Sequence, residues 1–87
     1  MSEPATLRIS VLYFGLVREK LGMDRETVVA EPGTDVGGLM GQLAERHGLD
    51  DFGAGSLRVA LNLEYVESST LLADGDELAV IPPVAGG

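Results

Sequence analysis

The sequence contains no cysteine, which excludes disulfide staples, thiolate metal sites and a catalytic thiol. Basic residues are scarce: six Lys and Arg stand against fourteen Asp and Glu, giving a formal charge of −8 and a pI near 4.3. Such a chain repels phosphate backbones and anionic lipid, so neither nucleic acid nor a membrane surface is an expected partner. A protein with a basic docking surface suits it better. No apolar run approaches the roughly 20 residues of a membrane-spanning helix. The start, Met1-Ser2-Glu3-Pro4, is acidic and lacks the basic region and apolar stretch of a secretory signal, so cytoplasmic residence is the expectation.

What is present is a globular composition, 45% hydrophobic over 87 residues, enough for one small domain. Leu7-Arg8-Ile9-Ser10-Val11-Leu12-Tyr13 alternates apolar with polar before turning continuously apolar, and reads as a first strand. Leu16, Val17, Lys20 and Leu21 follow at helical spacing, closed by Gly22. Glu26 to Ala30 reads as a second strand, antiparallel to the first, and Glu31-Pro32-Gly33 ends it. Thr34 or Asp35 then caps a helix whose Val36, Leu39, Met40, Leu43 and His47 share one face. Gly37, Gly38 and Gly41 disfavour that helix, and close approach to a strand is the expected reason for them. Leu57 to Asn62, a short extension at Tyr65-Val66 and Glu77 to Ile81 complete the strands. This order predicts an α+β chain, a mixed sheet with one main helix packed on one face, and the β-grasp is the layout that fits it. Its last strand lies centrally and parallel to the first. The expected division is a domain over 1–81 and a projecting tail over 82–87.

Few side chains suggest chemistry. His47, the single histidine, stands in the last turn of a helix, where interaction with the helix C-terminus is commoner than catalysis. Asp74-Gly75-Asp76 is turn chemistry and lacks the remaining ligands of a calcium loop. Ser68-Ser69-Thr70 has no placed base to activate a hydroxyl, and Gly37-Gly38 lacks the Lys-Ser/Thr ending of a phosphate loop.

By elimination the reactive group is the carboxylate of Gly87. Gly86 and Gly87 have no Cβ and pass through channels that other residues block. Pro82 and Pro83 cannot continue a strand ladder, and their fixed φ favours an extended exit. Fully extended, Pro82 to Gly87 reaches roughly 20 Å. A carboxylate is a poor electrophile and must first be activated, most simply by attack on the α-phosphate of ATP at a separate enzyme; this chain itself is expected to bind no cofactor.

Tyr13 to Gly22 (YFGLVREKLG), Val59 to Val66 (VALNLEYV) and Asp74 to Gly87 (DGDELAVIPPVAGG) resemble the small, sulfur-carrier subunits of molybdopterin synthase. The resemblance spans nearly the whole chain. Gly15 stands where alanine is common, Ala85 replaces a frequent Ser or Thr, and the helix is unusually rich in glycine. The resemblance implies a ubiquitin-like β-grasp fold and a cycle. An ATP-dependent adenylating enzyme would adenylate Gly87, and a sulfurtransferase would convert the adenylate to a thiocarboxylate. Inserted into the large subunit, in a heterotetramer with two copies of each chain, the thiocarboxylate would donate sulfur to a cyclic pterin precursor. Ile81 matches an apolar position that packs against partners, and Pro82, Pro83, Val84, Ala85 and Gly86 match the inserted segment.

Two other fates of a Gly-Gly terminus remain open from the sequence. One is the thiazole-pathway sulfur carrier, although those chains are shorter and lack the Arg-Glu helical segment at Val17 to Gly22. The other is a protein modifier conjugated to lysines through Gly87.

Overall fold

The structure is a computed structural model that describes residues 6–49 and 57–82. Its elements run β1 (Leu7–Tyr13), α1 (Gly15–Leu21), β2 (Arg25–Ala30), α2 (Val36–His47), β3 (Arg58–Leu61), β4 (Glu64–Tyr65) and β5 (Glu77–Ile81). The strands form one mixed five-stranded sheet in the order β2-β1-β5-β3-β4. This is the β-grasp arrangement expected from the sequence. β5 occupies the centre, parallel to β1 through Ser10↔Glu77 to Tyr13↔Val80, and antiparallel to β3 through Arg58↔Ile81 to Leu61↔Leu78.

Alternation along the strands sorts side chains between the two faces of the sheet. Leu7, Ile9, Val11 and Tyr13 of β1, Val28 and Ala30 of β2, Leu61 of β3, and Leu78 and Val80 of β5 point into one core. Val36, Leu39 and Leu43 of α2, Val17 of α1, and Leu49 and Leu72 from the connecting segments join it. The helical spacing read from the sequence therefore lies on the buried stripe of α2. Its N-cap is Asp35, whose carboxylate accepts a hydrogen bond from the Gly38 N–H at 2.7 Å. Both helices end on left-handed glycines, Gly22 and Gly48.

The glycines inside α2 differ from expectation. Gly37 approaches a loop rather than a strand: a Cβ there would lie 3.1 Å from Ser68 Cβ, and its N–H donates to Ser68 O at 2.8 Å. Thr70 O accepts from the Val36 N–H at 2.9 Å, so the Ser68-Ser69-Thr70 segment serves as a clamp on the helix start. Gly41 faces open space. Asp74-Gly75-Asp76 forms the turn expected of it, with Gly75 at φ 89°; Asp74 accepts from the Arg8 N–H and Asp76 from the Ala73 N–H. Among the described residues, no helix is long and apolar enough to cross a membrane.

Candidate functional site

The base of the tail is the described part of the expected site. Ile81 ends β5 half-buried, and Pro82 follows against the corner between β1 and α1. The Phe14 N–H donates to Val80 O at 3.2 Å, extending the β1–β5 ladder into that corner. Gly15 sits at φ 56°, and a Cβ on it would lie only 2.9 Å from Pro82 Cγ. The ring thus occupies space that a side chain at residue 15 would take. Pro83, Val84, Ala85, Gly86 and Gly87 lie outside the described residues.

Around this base, the sheet face opposite the core is apolar. Leu12, Ala79 and Ile81 project from it, as does Ala60, which pairs directly with both Ala79 and Tyr65. Together with Phe14, Leu63, Tyr65 and Glu77 they line an open concavity of about 260 Å³. Phe14, Leu63 and Tyr65 are large and solvent-exposed. Monomers rarely leave such residues grouped unless the group is used. The rim is not acidic throughout: Arg58 lies 5.7 Å from the Tyr65 ring centre, and Arg25 stands opposite Leu12 on β2. The net charge of −8 therefore misleads about this face, where arginines flank the apolar centre and Glu77 borders its far end.

Sequence reasoning singled out Ile81 but missed Leu12, Phe14, Leu63 and Tyr65. A signal existed in β1, because Leu12 breaks the alternation at a position that faces outward with Arg8 and Ser10. Tyr65 gave none, since only the Ala60 pairing places it on this face.

His47 reaches further than the end of its helix. Its Nε2 lies 2.6 Å from Glu26 Oε2, and its ring meets Tyr13 edge-on at 5.9 Å between centroids. The buried Tyr13 hydroxyl donates to the same carboxylate oxygen, and Arg46 adds an ion pair at 3.9 Å. Burial, and secondarily the bond to Glu26, pushes the Tyr13 phenol well above its ordinary value. Burial alone would raise Glu26, but the hydrogen bonds from Tyr13 and His47 and the nearby Arg46 outweigh it and hold the carboxyl below the usual range. The cluster ties β1, β2 and α2 together on the core side of the sheet, opposite the apolar face that carries Ile81.

A family model described as the ThiS family matches residues 11–87. The molybdopterin synthase sulfur carrier subunit of Mycobacterium tuberculosis is 43% identical over 82 residues, covering 93% of this chain and 99% of that protein. Small archaeal modifier protein 1 of Haloferax volcanii superposes with a TM-score of 0.79 at 26% identity, covering 90% of this chain and 99% of the other. Subunit 1 or 2 in the complex of the two subunits of molybdopterin-converting factor from Helicobacter pylori superposes with a TM-score of 0.68 at 29% identity, covering 93% and 100%.

Proposed function

The chain belongs to the ThiS family, and from that premise we propose that it is the sulfur-carrier subunit of molybdopterin synthase, with the Gly87 carboxylate as its working group. The observation that carries the reading is the placement of the tail's base. The strand leading to it is hydrogen-bonded on both sides at the centre of the sheet, and its last residue stands in an exposed apolar face. A rigid root with a docking surface around it aims a thin segment into a partner.

The proposed chemistry starts when a carboxylate oxygen of Gly87 attacks the α-phosphorus of ATP on an adenylating enzyme, expelling pyrophosphate and leaving an acyl-adenylate. Sulfide-level sulfur delivered by a sulfurtransferase displaces AMP and leaves a thiocarboxylate. Pro82 to Gly86 then carry that sulfur into the large subunit, where it displaces an oxygen substituent of the pterin precursor, and water cleaves the acyl–sulfur bond to leave sulfur on the pterin and return Gly87 to a carboxylate. Exclusion of water before that transfer limits wasteful hydrolysis. The docking face around Ile81 meets the large subunit in an assembly with two copies of each chain, in the cytoplasm. A second reading, a protein modifier, is favoured only by the shared fold with the archaeal modifier. The sequence relative is both closer in identity and a sulfur carrier by name.

Deletion of Gly87 tests the proposal. The remaining carboxylate would fall about 3.5 Å short of its place, beyond the tolerance of a reacting group. The shortened protein should fold and bind the large subunit, yet form no molybdopterin. The intact mass of the full chain, after incubation with ATP, activating enzyme and sulfur source, should show one terminal oxygen replaced by sulfur. Near-normal product from the deletion variant would overturn the mechanism, and lysine-linked conjugates without a thiocarboxylate would favour the modifier.

A further inference from the structure

Leu63 is a residue of the open face that the folded domain does not need. It occupies the second position of the two-residue turn between β3 and β4, where Asn62 has φ 50° and Leu63 φ 75°. Turns with both central residues left-handed favour Asn-Gly, because glycine escapes the clash between Cβ and backbone. Asn62 fits this preference and Leu63 does not. The leucine is also 90% exposed, so burial does not offset the strain.

Relaxation of the turn is blocked by its neighbour. Asn62 N donates to Glu77 O at 2.8 Å, its side-chain oxygen accepts from the Glu77 N–H at 3.0 Å, and its side-chain amide donates to Asp76 Oδ1 at 2.9 Å. These bonds fix the turn to the first residue of β5, the strand that leads to the tail. Leu63 is therefore held in a set direction relative to the tail's root, on the rim of the concavity that Tyr65 and Ile81 also line. A strained, preorganised and solvent-exposed apolar side chain burdens the free protein and becomes useful when a partner covers it.

We propose that Leu63 is an anchor for docking to the molybdopterin synthase large subunit, its side chain entering an apolar pocket of that partner continuous with the contact around Ile81 and Tyr65. The inference rests on the sulfur-carrier reading, and its test separates the two. Thermal unfolding of the free protein and calorimetric titration with the large subunit are measured for the wild type, Leu63→Gly and Leu63→Met. Glycine relieves the left-handed strain, so Leu63→Gly should unfold at the same or a higher temperature while binding about 10- to 100-fold more weakly, the range that burial of one leucine side chain implies. Leu63→Met keeps an apolar chain of similar length and should bind within a few-fold of wild type. A merely structural leucine would lower the unfolding temperature on truncation and leave affinity intact. Unchanged binding by Leu63→Gly overturns the anchor, as would a wild-type self-association, seen by sedimentation, that Leu63→Gly abolishes without altering binding to the large subunit. No binding by the wild type overturns the carrier reading and the anchor with it.

Discussion

Gly15 and Pro82 fit together through an absence: the hydrogen at Cα of residue 15 faces the proline ring, and a methyl group in its place would come within 2.9 Å of Cγ. The contact couples the corner after β1 to the first residue beyond β5. Alanine at this place must push the ring aside as well as adopt a left-handed φ. Gly15→Ala should destabilise the domain by about 1–2 kcal/mol from backbone conformation alone. Combined with Pro82→Ala, it should destabilise less than the two single changes add up to, by at least about 0.5 kcal/mol. Denaturant unfolding of all four proteins measures this, and additivity would show that the ring and residue 15 are independent.

Stability should also fall at both extremes of pH, for opposite reasons. Glu26 is held below the ordinary carboxylate range, so its ionised form stabilises the fold above about pH 4 and that contribution is lost as pH drops through the lowered folded value. Tyr13 is pushed up, so its neutral form stabilises the fold below about pH 10 and the contribution fades as pH rises beyond that. Glu26→Gln should flatten the acid limb of an unfolding-midpoint profile. An acid limb as steep in the variant as in the wild type would assign the loss to other carboxylates.

Ile81→Lys should separate fold from docking. Ile81 is half-buried at the end of its strand and faces the open side, so the domain tolerates a long chain there that turns its charge to water. Buried in a complex, the same charge would cost several kcal/mol, and calorimetry with the large subunit should show binding reduced by orders of magnitude. Equal affinity would place Ile81 outside the interface.

The fold was legible because its signals are local and periodic. Alternation in β1, the apolar stripe of α2 and glycine stops after both helices each state one element's type and end. The last strand's central place followed from the order of elements. The docking face was not legible, because it is assembled across strands far apart in sequence: Leu12, Tyr65 and Ile81 meet only through the pairings of β1, β5, β3 and β4. The partnership of His47 with Glu26 was hidden for the same reason, since 21 positions separate them and the helix must first lie across the sheet. Gly37 was read as a contact with a strand because spacing shows that a residue must be small without showing what approaches it.

The central position of β5 bears on synthesis. β1 is made early and finds β2 at once, but its other edge waits for the partner about seventy residues later, and β3 waits for the same strand. A chain made only as far as residue 76 lacks the strand that joins its two halves, and exposes two unpaired strand edges. Completion of the sheet therefore reports that translation has passed the root of the tail. A product truncated before β5 should therefore fail to fold, because neither β1 nor β3 has its central partner.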